Sequence, residues 1–63
     1  MKEKSFELGD MVMIYNHLEF NGEVGIVMEQ YHNNETPYYR DQYKIFFKGK
    51  TLWFHSFELE LVK

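Results

Sequence analysis

The segment Tyr43 to Phe54, YKIFFKGKTLWF, restricts the fold more than any other stretch of the chain. Lys48-Gly49 stands between two runs rich in aromatic and β-branched residues. That pattern marks a two-residue hairpin turn with glycine where φ must be positive. A turn of that length sets the register: Phe47 faces Lys50, Phe46 faces Thr51, Ile45 faces Leu52, Lys44 faces Trp53, and Tyr43 faces Phe54. Side chains alternate across a strand, so the hairpin divides into two faces. Tyr43, Ile45, Leu52 and Phe54, with Phe47 at the turn end, form an expected core face. Lys44, Phe46, Thr51, Trp53 and His55 form the other, a mixed aromatic and basic surface.

The rest of the chain supplies partners for this hairpin. Met11 to Tyr15, after the turn pair Gly9-Asp10, reads as a first strand within residues 10–16, with Val12 and Ile14 inward and Met11, Met13 and Tyr15 on the opposite side. The polar loop NHLEFNG ends in Asn21-Gly22, a turn signal, and its Leu18 and Phe20 are expected to fold back over the core. EVGIVMEQY makes a second strand over 23–31, in which Gly25 implies a bulge, a bend or the close approach of another backbone. HNNETP then reads as a loop containing the only proline. A third strand follows over 38–47, a fourth over 51–55, a tight turn at Ser56-Phe57-Glu58, and a fifth, edge-type strand over 58–62 whose Glu58 and Glu60 point outward. Residues 1–5 are charged and expected to fray. The string SFEL occurs at Ser5–Leu8 and at Ser56–Leu59 without flanking similarity, so it gives no duplication.

Five short strands with no convincing helix predict an all-β domain that closes on itself to hide its edges, a five-stranded SH3-like small barrel, with an OB-fold as the larger alternative. The chain has 63 residues and makes one domain. At this size folding buries only about 60% of the unfolded chain's surface, so stability needs help. No cysteine is present to supply a disulfide or thiolate site, and the three histidines, His17, His32 and His55, lack ligand spacing. No metal or cofactor is therefore expected. Aromatic residues, 19% of the chain, offer the compensating burial.

A formal charge of −3 disfavours a dedicated nucleic-acid binder, which ordinarily carries a basic footprint. No apolar run reaches the roughly 20 residues that span a membrane, and no signal-type segment opens the chain, so a cytoplasmic protein is expected.

The order of signals resembles KOW and related SH3-like barrel modules: Gly9-Asp10-x-Val12-x-Ile14, then Gly22-Glu23-Val24-Gly25-Ile26-Val27, a strand ending in Gly49-Lys50, and a closing Glu58-Leu59-Glu60-Leu61-Val62. The chain is also similar to short uncharacterised bacteriophage-encoded proteins with a G-D-x-V opening and a Y-K-I…G-K…W-F…E-L-E ending. Together these resemblances cover residues 6–62 and imply the SH3-like fold. KOW modules commonly bind RNA, ribosomal components or RNA polymerase, and other SH3-like barrels bind peptides. The basic loop residues of RNA-binding KOW modules have no counterpart in NHLEFNG, which is acidic.

The outer hairpin face is the leading candidate site: Trp53, Phe46, Lys44 and His55, with Lys50 and Arg40 as a basic rim. Exposed aromatic residues with flanking cations suit protein hot spots or single-stranded base stacking. Cover by a loop, as a second small core, and burial in a self-association interface are the other readings of the same face. Tyr31, Tyr38 and Tyr39 beside the HNNETP loop could line a groove for a proline-rich ligand, although solvated edge tyrosines are the plainer reading. Catalytic pairing of His17 with Glu19, or of His55 with Glu58, lacks any supporting nucleophile, phosphate loop or pocket. The sequence thus predicts a non-catalytic protein-interaction module, which the bacteriophage resemblance implies is phage-encoded and acts on a host or virion protein, with a KOW-like nucleic-acid module and a structural homo-oligomer as alternatives.

Overall fold

A computed structural model describes residues 5–31 and 42–62. They form five antiparallel strands: β1 (Met11–Ile14), β2 (Val24–Tyr31), β3 (Gln42–Phe47), β4 (Lys50–His55) and β5 (Leu59–Leu61). A 3-10 turn over Ser56–Glu58 joins β4 to β5. The strands make one sheet in the order β4-β3-β2-β1-β5. All five expected strands are present; the first, second and fifth are trimmed at one or both ends, the fourth begins one residue earlier at Lys50, and the part of the third expected over 38–41 lies outside the described residues. The sheet leaves β4 and β5 as its two edges. Among the described residues no ladder joins them, so the backbone closure expected of a barrel is not made.

The β3–β4 hairpin has the register that its turn dictates, from Phe47↔Lys50 to Tyr43↔Phe54, and extends to Gln42↔His55. Lys48 has φ 52° and Gly49 φ 75°. Positive φ at both central residues is the type I′ geometry, whose twist matches that of the flanking strands. Lysine tolerates this region poorly, at a cost of about 1–2 kcal/mol, whereas glycine enters it freely.

Gly25 marks the sharpest constraint in β2. A Cβ built there would stand 2.5 Å from the Phe46 carbonyl oxygen and 2.6 Å from Ile45 Cγ2. The glycine therefore admits close approach of β3, one of the three roles that its position within an apolar strand allows. Two residues later the β2–β3 register shifts between Val27 and Glu29, a bulge that places Met28 and Glu29 against Lys44.

The inner face of the sheet packs Val12, Ile14, Val27, Tyr43, Ile45, Phe47, Phe54 and Leu59 with Phe6 from the N-terminal segment. Each large apolar side chain fully buried in this way contributes about 1.5–3 kcal/mol. Phe6 meets the Tyr43 ring edge-on at 5.2 Å, and its backbone N–H donates to Tyr43 Oη at 3.2 Å. The segment before β1 is thereby tied to β3. It turns at Gly9 through Asp10 N–H to the Glu7 carbonyl (3.0 Å) and Glu7 N–H to Asp10 Oδ2 (2.9 Å).

Three inward expectations need correction. Leu52 is 40% exposed although it lies on the core side, because β4 is the sheet edge and among the described residues no strand continues beyond it. Leu61 is exposed for the same reason at the other edge, β5. Leu18 does not fold back and is 100% exposed, whereas Phe20 does, packing its ring against Phe47 at 5.1 Å and Phe54 at 6.3 Å.

Candidate functional site

The outer face of the sheet is built by strand parity. Val12, Ile14, Val27, Ile45 and Phe47 point inward, so their neighbours Met11, Met13, Ile26, Lys44 and Phe46 point outward. Registers then align them in rows. Met11 pairs with Ile26, Ile26 with Phe46 and Phe46 with Thr51, a continuous line across four strands. Beside it runs Glu29, Lys44 and Trp53, and on the other flank Val24 and Met13.

The two aromatic residues of this face, Phe46 and Trp53, are each 45% exposed. Neither is roofed by a loop of the described chain. Met11, Val24 and Met28 are exposed to a similar degree. The apolar surface is therefore wider than the hairpin alone. Individual exposed apolar residues are ordinary, but a contiguous apolar patch rimmed by polar groups marks interaction surfaces.

Charge on this face is balanced. Lys44 Nζ lies 3.3 Å from Glu29 Oε2 and 5.8 Å from the centroid of the Trp53 ring. Lys48 Nζ lies 2.9 Å from Glu23 Oε2. Lys44 and Lys48 are thus met by carboxylates, one within β2 and one just before it, and the expected basic surface is closer to a neutral aromatic one. Exposed pairs of this kind are worth about 0–1 kcal/mol each, and they orient the lysines more than they stabilise the fold.

Of the six residues expected at the site, Trp53, Phe46 and Lys44 share the face. Lys50 does not. Its ammonium sits 4.6 Å from the Phe20 ring centroid and 5.4 Å from that of Phe47, on the side of the sheet opposite Trp53. Strand alternation alone separates Lys50 from Thr51 and Trp53, a parity that reading it as a rim residue ignored. His55 ends β4 on the outer side, where its ring stacks on Phe57 at 5.1 Å with an interplanar angle of 5°. Its Nδ1 is buried, and its backbone N–H donates to Glu58 Oε1 at 3.0 Å. Glu58 thus closes the turn after β4. Arg40 lies outside the described residues, as do Tyr38 and Tyr39 of the second candidate; Tyr31 is exposed at the end of β2.

His17 likewise has a structural place. Its Nδ1 accepts from the backbone N–H of Glu19 at 3.2 Å and of Phe20 at 3.3 Å. Its ring packs against Phe54 at 5.4 Å and Phe20 at 5.3 Å. These contacts hold the loop in the turn that carries Phe20 onto the core. Outside this turn, Tyr15, Asn16, His17, Leu18 and Asn21 line a depression of about 500 Å³, larger than the chain length suggests but wide open to solvent. Among the described residues no three His, Asp or Glu side chains gather as a metal site, and no helix is long and apolar enough to cross a membrane.

Met11 and Met13 lie on the outer face as their strand parity predicts, and Val24, Ile26 and Met28 of β2 join them there without having been expected. The signal for them was present in β2, where Val24, Ile26 and Met28 alternate with Gly25 and Val27. Comparison with protein-family models, with curated proteins and with solved structures finds no match.

Proposed function

We propose that the protein is a small, non-catalytic protein-interaction module of SH3-like type, and that its contact surface is the outer face centred on Trp53, Phe46 and Lys44. The observation that carries this reading is the exposure of Trp53 and Phe46, 45% each, beside Met11, Val24 and Met28 in a chain whose core is already filled by Phe6, Tyr43, Phe47 and Phe54. Tryptophan at the centre of an apolar patch is the residue type most enriched at binding hot spots. The SH3-like assignment is supported by the strand order β4-β3-β2-β1-β5, the glycine that lets β2 meet β3 closely, and the 3-10 turn between β4 and β5.

A protein partner suits this surface better than nucleic acid. Phosphate contacts require free cations, and Lys44 and Lys48 are each within ion-pair distance of a glutamate. The test is capture of partners from the source cell by the wild-type chain and by Trp53→Ala, with circular dichroism to verify that the variant folds. Loss of the captured protein in a folded Trp53→Ala supports the proposal; undiminished capture contradicts the site. Repeating the capture across a salt series distinguishes the two partner classes, because binding to phosphates weakens steeply with salt and an apolar contact does not.

A further inference from the structure

The two edges of the sheet are guarded unequally. β5 spans three residues, with Glu60 exposed within it and Glu58 just before it. Short length and charge are common protections against edge-to-edge pairing. β4 spans six residues, and its central Thr51-Leu52-Trp53-Phe54 carries no charge, no proline and no bulge.

Hydrogen-bond phase shows which groups of β4 are free. In a two-residue type I′ hairpin the residues flanking the turn exchange hydrogen bonds, so Phe47 and Lys50 form a bonded pair and alternate pairs follow. Lys50, Leu52 and Phe54 therefore turn their backbone groups toward β3, and Thr51 and Trp53 turn theirs outward. The same phase carried across β3 and β2 sends the Val27 groups toward the segment before β1. There Val27 N–H meets the Asp10 carbonyl and Gly9 N–H meets the Val27 carbonyl, each at 2.9 Å. Among the described residues no hydrogen bond reaches the outward N–H or C=O of Thr51 or Trp53, while the His55 N–H is already donated to Glu58.

We propose that this edge pairs antiparallel with β4 of a second copy of the chain, about a two-fold axis through Leu52. In that register Thr51 of each copy lies opposite Trp53 of the other, and each such pair exchanges two hydrogen bonds, using every outward group left free at these positions. Lys50 faces Phe54 of the second copy, so no like charges oppose. A two-fold axis through Trp53 would instead call on the His55 N–H that Glu58 occupies. The chosen axis also brings the two Leu52 side chains together on the inner side, which gives a partner to a residue left 40% exposed at the margin of the core. An isologous contact of this kind closes after two copies and leaves the β5 edges outside. It also sets the two outer faces side by side, so the dimer presents two Trp53 residues on one continuous surface.

The test is sedimentation velocity of the intact chain over a concentration series, with far-UV circular dichroism on every variant. The wild-type chain is expected to pass from 7.7 kDa toward twice that mass as concentration rises. Leu52→Lys and Leu52→Glu should each weaken dimerisation about tenfold or more by placing like charges on the axis, and an equimolar mixture of the two should restore it. Thr51→Pro removes only an outward N–H, so it should weaken the dimer while the hairpin remains folded. A chain that stays monomeric at every concentration overturns the proposal. So does a dimer undiminished in folded Leu52→Lys and Thr51→Pro, which would place the contact on another surface.

Discussion

The two faces of the β3–β4 hairpin both carry large aromatic side chains and meet different environments. On the inner face Tyr43, Ile45, Phe47 and Phe54 are buried against β1, β2, Phe6 and Phe20. On the outer face Phe46 and Trp53 alternate with them along the same strands and remain half exposed. Apolar content therefore does not identify a core in a chain this small. Core residues are those on the side that Phe6 and Phe20 cover. The half-exposed outer residues are the surface on which the proposed binding role rests.

Substitutions can break this contrast, and the largest effect is expected at Gly25. Gly25→Ala places a Cβ against the Phe46 carbonyl and the Ile45 side chain, at 2.5 and 2.6 Å. It should cost about 3 kcal/mol or more in chemical denaturation, because backbone on one side cannot yield as a flexible side chain would. Next come the adjacent residues Ile45 and Phe46. Ile45→Ala should cost about 2–5 kcal/mol, and Phe46→Ala about 1 kcal/mol or less, since a half-exposed side chain leaves no enclosed cavity. Equal losses at the two positions would show that the outer face is a second core.

Smaller effects sharpen the comparison. Tyr43→Phe keeps the ring against Phe6 and removes the acceptor of the Phe6 N–H, for an expected loss of about 1–3 kcal/mol by thermal or chemical unfolding. Glu29→Gln breaks the exposed pair with Lys44 and should change stability by less than about 1 kcal/mol. Its use lies elsewhere. Freed from the carboxylate, Lys44 makes the face more basic, so any nucleic-acid affinity should rise in this variant, whereas an apolar protein contact should hardly change.

How far these features could be read without coordinates depended on how local their causes are. The hairpin register follows from Lys48-Gly49 alone, because a two-residue turn admits one alignment, and each of the five pairings derived from it is present. The turn at Ser56–Glu58 was legible for the same reason, being a matter of backbone conformation within a few residues, whereas at Gly25 the sequence left three roles open and the approach of β3 decides among them. What depends on strand order was not. Leu52 and Leu61 have the inward parity of core residues, but they lie on the edge strands and stay exposed. The neutralisation of Lys44 by Glu29 requires the β2–β3 register with its bulge at Met28, which no short-range signal discloses. The five apolar residues that widen the face from β1 and β2 come into line only once those strands are paired.

The central claim, that the hairpin's outer face is available for contact, can be read from the protein's single tryptophan. Steady-state fluorescence of the native chain with collisional quenching by acrylamide reports on Trp53 alone. The structure, with Trp53 45% exposed, predicts red-shifted emission, ready quenching, and only a small further shift on unfolding. Blue-shifted emission that acrylamide does not reach until the protein unfolds, at concentrations where the chain is monomeric, would mean that Trp53 is covered within its own chain and would contradict the account.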